Sequence, residues 1–279
     1  MMTRRAVLLT ALALAGSAAA LAQTGTVQNR SELINWYYAA TFGTGFYTAG
    51  DRTVAVVQAP ISYGLKPPAE GEWGVKLLLP ISLGFYNYNL GTVVDRGLPS
   101  RLNTVSAVPG VEFERIVSPR LDLRPYVSAG WGKDLSGSDS AFIYDVGIRG
   151  RYLLGENRGV TYALLGRLSE AGYRPQGGST QPLGFIATGI DITVPTGQEL
   201  ADHPISIGFT PSYWYYFRQL KFAQFSAPEN RITEQWEFAL SLITSKPWNI
   251  LGFDLDRIGL AVQTGGGVTG VHLFTSQMF

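Results

Sequence analysis

Apolar residues alternate with polar or small ones along this chain with a period of two, over segments longer than a strand of an ordinary soluble domain. From Trp73 to Phe85, the residues Trp73, Val75, Leu77, Leu79, Ile81, Leu83 and Phe85 fall on one face, and Gly74, Lys76, Leu78, Pro80, Ser82 and Gly84 on the other. Successive side chains of a β-strand point to opposite faces. One face of this strand is therefore apolar along its whole length, with aromatic residues at both ends. Helical periodicity is weak throughout. The pattern returns at Val105–Phe113, Leu121–Trp131, Phe142–Tyr152, Tyr162–Ser169, Ile186–Val194, Ile205–Tyr215 and Trp236–Leu242. Two hairpin arms precede these segments, Ile34–Tyr47 and Thr53–Leu65, and two follow, Phe253–Gln263 and Val268–Phe279. In Phe253–Gln263 the apolar parity shifts between Leu255 and Ile258; either a bulge lies near Asp256 or the strand begins only at Arg257.

The count predicts an all-β fold, a single antiparallel up-and-down barrel of about 12 strands, with about 10 as the alternative. An apolar face of about 9–11 residues is what a strand needs to cross a bilayer, so the expected barrel is a transmembrane one. The competing architecture is a soluble β-sandwich, which also alternates. Its two-layer core does not call for apolar faces this long. Loop lengths give an independent check, because membrane barrels keep the turns at one end short and the loops at the other long. Asn89–Asn103, Gly132–Ser140, Ala171–Gln181 and Leu220–Arg231 are longer and polar, whereas Ser118–Arg120 and Gly155–Asn157 are short. Lys66–Gly71 and Pro195–Pro204 read as connections longer than that rule expects, and Gly50-Asp51 as a shorter one.

The N-terminus reads as a targeting segment. A positive stretch through Arg4-Arg5 precedes an apolar run, Ala6–Leu14, and Ala20-Leu21-Ala22 forms an A-x-A cleavage site. The expected organisation is a signal peptide over 1–22, a short periplasmic segment over 23–34 and the barrel over 35–279. Removing Arg4 and Arg5 from 22 basic residues leaves 20 against 21 acidic, a formal charge of −1. That balance, with no lysine–arginine cluster, gives no reason to expect nucleic acid as a partner. The absence of cysteine excludes a disulfide scaffold and thiolate chemistry. Charged residues make up 15% of the chain, against about 25% in soluble domains, as suits an apolar exterior with a thin polar lining.

The inward-facing positions collect Lys76, Glu112, Glu114, Asp122, Arg124, Asp145, Arg149, Arg151, Arg167, Asp191 and Glu237. Ionisable groups at membrane depth must face water or one another. Two readings stay open: an ion-pair network that props the wall, or a charged constriction that selects solutes. The signs nearly cancel, so strong ion selectivity is not implied. Trp214, Tyr216 and Arg218 also fall on the inward side and are the candidate solute contacts. The remaining members of Tyr213–Phe217, with Trp36-Tyr37-Tyr38, read as rim aromatics. His203 and His272 are the two histidines. His272 is expected to point inward, but one inward histidine does not make a catalytic pair or a metal site. The chain is therefore expected not to be an enzyme and to need no cofactor or metal. Gly265-Gly266-Gly267 has no following helix and reads as a hairpin tip, not a phosphate loop.

A signal peptide, an alternating barrel and a terminal strand ending on Phe279 together resemble a bacterial, Gram-negative outer-membrane β-barrel. Val108–Glu114, Leu121–Tyr126 and Ala129–Gly132 resemble the central hairpin of the autotransporter-type barrels, more narrowly of the solitary kind without a passenger domain. The resemblance implies a protein of the cell outer membrane, exported through a cleaved signal peptide. Its partners would be membrane lipid and the barrel insertion machinery, which reads the terminal Phe279. Gln277 departs from that signature, where an aromatic or apolar residue is usual. Two functions follow as expectations: a passive, porin-like small-solute pore, or a non-conducting structural or surface-interaction barrel presenting its loops.

Overall fold

The computed structural model describes residues 43–49, 52–86, 102–135, 139–218, 232–250 and 253–275. Thirteen strand segments follow one another: β1 (Thr44–Ala49), β2 (Arg52–Lys66), β3 (Trp73–Tyr86), β4 (Thr104–Ala107), β5 (Gly110–Ser118), β6 (Leu121–Asp134), β7 (Ser140–Asn157), β8 (Val160–Pro175), β9 (Gln181–Leu200), β10 (His203–Arg218), β11 (Glu234–Ile250), β12 (Phe253–Gly265) and β13 (Val268–Phe274). No helix occurs among the described residues. Every pairing between these segments is antiparallel, and β1 pairs with β13, so the sheet closes on itself. Closure leaves no open sheet edge.

β4 and β5 are two parts of one barrel strand, which makes the count 12. Both pair with β3 in a single register, Ile81 opposite Ala107 and Leu78 opposite Gly110. Both also pair with β6 in a single register. The ladder is interrupted between them because Pro80 and Pro109 have no amide hydrogen to give. What remains is one bond on each side, from Val108 N to the Pro80 carbonyl at 3.2 Å and from Ala129 N to the Pro109 carbonyl at 2.9 Å. The alternation of the whole wall survives the interruption.

Several turns are tighter than the sequence suggested. β9 runs on to Leu200 and β10 starts at His203, so Pro195–Pro204 is mostly strand around a two-residue turn at Ala201-Asp202. Both turn residues have positive φ, 51° and 64°, the backbone a tight hairpin of matching twist demands. A similar turn at Arg158-Gly159, φ 52° and 82°, joins β7 to β8, and Gly266-Gly267, φ 59° and 77°, joins β12 to β13. β12 starts at Phe253 and alternates without a bulge through Asp256, so Leu255 shares the inward side with Arg257; the irregularity lies opposite, in β11. The extra residues belong to the neighbouring strand, since pairing jumps from Ile243↔Arg257 to Trp248↔Leu255.

Most large exposed apolar side chains lie on the outer face. Trp131 pairs with Phe142 across the β6–β7 ladder, and ten residues along it Leu121 pairs with Tyr152. At about 3.3 Å per residue and a tilt of about 40°, that interval is about 25 Å tall. Aromatic rings thus mark both ends of an apolar band. Residues 1–42, which hold the expected signal peptide and Trp36, lie outside the described residues, as do the connections 87–101 and 219–231 and Phe279.

Candidate functional site

The lumen is divided along its axis into two chemically different zones. At the end bearing the long connections, inward positions of β7 to β10 carry Ile143, Tyr173, Leu183, Phe185, Trp214 and Tyr216, all buried in one apolar cluster that Leu165 continues below, opposite Arg151. Phe185 is 0% exposed. Its ring lies 4.9 Å from that of Trp214 and 5.8 Å from that of Tyr216. Tyr47, Val54, Val56 and Val268 complete the plug from the far side of the barrel, and Ile232 from beside β10. Beneath it, Gln235 Oε1 accepts from the Tyr216 hydroxyl at 2.6 Å and from Gln263 Nε2 at 3.0 Å.

Trp214 and Tyr216 therefore point inward, but into packed side chains, and a solute would have to displace the plug to touch them. Arg218 does not accompany them. A register shift between Tyr216 and Arg218 turns the arginine to the outer face, where it pairs with Glu170 at 2.6 Å. Phe217 lies over Gly184 there, where a Cβ would collide with its ring. The strict alternation that placed Arg218 in the lumen fails because a bulge reverses parity.

Toward the short-turn end the lumen is polar. Arg167 marks the boundary: its guanidinium sits 5.0 Å from the Phe185 ring and 5.4 Å from the Tyr126 ring. Tyr126 is the hub of this zone. Its hydroxyl accepts from Arg167 Nε at 3.0 Å and Nη2 at 2.7 Å, and lies within hydrogen-bond reach of Asp145 and Ser169. Arg167 also pairs with Asp145 at 3.0 Å. Nearer the mouth, Arg149 binds Glu112 at 2.7 Å and lies over the Tyr126 ring at 4.4 Å. Lys76 reaches Glu112 and Glu114 at 3.7 Å, and Arg124 reaches Glu114 at 3.1 Å and Asp122 at 3.5 Å. Arg151 projects from the same face of β7, two residues beyond Arg149.

Across the barrel two further pairs are buried. Arg257 holds Asp191 with two parallel bonds, 2.9 and 2.8 Å, and Thr210 donates to the same carboxylate at 2.8 Å. His272 Nε2 lies 3.5 Å from Glu237, and its ring stacks over Tyr47 at 6.3 Å. The Ser212 hydroxyl donates to Glu237, not to His272. That arrangement orients a carboxylate.

The structure thus brings the sequence-selected lumen residues other than Arg151 into ion pairs, most within one strand of each other, with Asp191 and Glu237 in separate pairs. Arg257 and the central role of Tyr126 escaped the sequence reading. Arg257 sits at the parity shift where the strand start was ambiguous, and Tyr126 was an unremarked member of an alternating run. Among the described residues no group of acids and histidines has the arrangement of a metal site. Neither a protein-family model nor a curated protein matches this chain.

Proposed function

We propose that this chain is an integral outer-membrane β-barrel of the passenger-less autotransporter-like kind. In this reading its lumen is closed, and it serves as a structural or surface-interaction barrel presenting the connections at its long-loop end. The observation that carries the closed reading is the plug: Phe185 and Leu183 fill the long-loop end of the lumen with at most 1% of their surface exposed. The membrane reading is supported by the apolar band of about 25 Å and its flanking aromatics. Export through the signal peptide and recognition of Phe279 by the insertion machinery belong to the same proposal, with bilayer lipid as the partner of the outer face.

A passive small-solute pore is the second reading. It draws on the charged lining between Lys76 and Arg151, and it requires the plug to open. Refolded protein in a planar bilayer distinguishes the two. The closed reading expects insertion without stepwise conductance; stable conductance steps would replace it with the pore. Heat-modifiable gel mobility is expected for the folded barrel. A chain that lacks this shift and stays soluble without detergent would overturn the membrane reading.

A further inference from the structure

The short-turn half of the lumen holds one cation more than it can pair. Arg124, Arg149 and Arg167 are direct cross-strand neighbours on β6, β7 and β8. Like charges set opposite one another across a ladder repel. This row persists because acids flank it: Glu114 and Asp122 serve Arg124, Glu112 serves Arg149 and Asp145 serves Arg167. Lys76 shares Glu112 and Glu114. Four carboxylates therefore meet five cations, and the fifth is Arg151.

No ion pair of Arg151 exists among the described residues. Asp122 lies opposite it in the β6–β7 register, yet the Asp122 carboxylate turns to Arg124. Asp191 feels the Arg151 charge, but its two oxygens are already held by both arms of Arg257. The Nε atoms of Arg149 and Arg151 are both buried and have no hydrogen-bond partner among the described residues. Leaving such donors without an acceptor is costly, the more so on a charged group. The neighbouring Arg124 and Arg149 side chains keep about a quarter of their surface exposed, 25% and 28%, so solvent reaches this place. The plug closes the lumen above it.

We infer that Arg151, with Arg149 Nε beside it, forms a binding site for a small monocarboxylate at the blind, short-turn end of the lumen. A guanidinium fork matches the two oxygens of a carboxylate, and a single negative charge balances the single surplus cation. A phosphate dianion would overcompensate it. The site depends on the barrel geometry alone, not on insertion in a bilayer or on the absence of conductance.

Saturation-transfer NMR with acetate, on barrel refolded in an uncharged detergent, tests the site. Saturable transfer is expected for the native chain. Arg151→Gln is expected to weaken it at least tenfold, Arg151→Lys to weaken it less, and Arg115→Gln, on the outer face, to leave it unchanged. Heat-modifiable mobility reports folding of each variant separately, and Arg151→Lys keeps the test open should Arg151→Gln not fold. Absent or non-saturable transfer in the native barrel, or equal transfer in folded Arg151→Gln, would overturn the site. If inorganic phosphate displaced acetate at lower concentration than formate does, at matched ionic strength, the carboxylate class would be wrong.

Discussion

The two ends of the lumen are built from the same strands but closed by different physics. At the long-loop end, side chains fill space: rings and branched aliphatics meet, and ionisable groups touch them only at the border, Arg167 against Phe185 and His272 against Tyr47. At the short-turn end, side chains balance charge, and each guanidinium position but that of Arg151 is set by a carboxylate or a ring face. Packing of the first kind is non-directional and approximately proportional to buried area. Pairing of the second kind is directional, and its net contribution is small because desolvation offsets attraction. The plug therefore holds the barrel together, while the polar zone fixes which strand face meets which.

Five substitutions sharpen that contrast. Phe185→Ala, at the centre of the plug, should lower unfolding free energy by about 3–5 kcal/mol through the cavity it leaves, read by urea unfolding in detergent micelles. A change below about 1 kcal/mol would mean the plug collapses freely and is not close-packed. Asp191→Asn should cost a similar amount, about 3–5 kcal/mol, because it strands the Arg257 charge in the interior. The two ends should then part company. Adding Arg257→Met to Asp191→Asn should recover most of the loss, whereas no polar partner change should rescue Phe185→Ala. Failure of that recovery would show that the pair contributes more than mutual charge balance.

Tyr126→Phe removes a hydroxyl that serves Arg167 twice and should cost about 1–3 kcal/mol, with the ring contacts of Arg149 and Arg167 retained. The smallest effect belongs outside the lumen. Lys66 and Glu72 form an exposed pair at 2.7 Å in the β2–β3 turn. The hydrogen bond and charge of Lys66 hold the Glu72 carboxyl below its ordinary value. The folded form thus binds that proton less readily than the unfolded form. Any stabilisation is complete above the ordinary carboxylate value and lost as pH falls through the lowered one. The difference between native protein and Glu72→Gln should accordingly be greatest at neutral pH, vanish in acid and shrink with salt. A difference that grows in acid would reverse the assignment.

Particular residues show where local reading stopped. Period-two parity placed Glu112, Arg149 and Asp191 in the lumen because a strand cannot alternate otherwise. The same rule misplaced Arg218, since one extra residue near Phe217 reverses every later side chain on that strand. Pro195–Pro204 looked like a loop from its prolines and glycine. The pairing of Pro204 with Glu199 and of Ser206 with Pro195 makes it strand, because the neighbouring strands continue beside it. His272 pointed inward as expected, but its meeting with Glu237 crosses two strand boundaries and leaves no trace in either segment.

What the sequence by itself determined is the wall: an all-β chain of about 12 strands and, away from the irregularities at Arg218 and Arg257, which residues face in. Those properties follow from backbone geometry repeated every two residues, and each segment carries them independently. Only the tertiary structure decided the contents of the lumen. Whether Trp214 lines a passage or fills a plug, and whether Arg151 finds a carboxylate, depends on how far closure brings opposite walls together. That distance belongs to the closed ring and to no single strand.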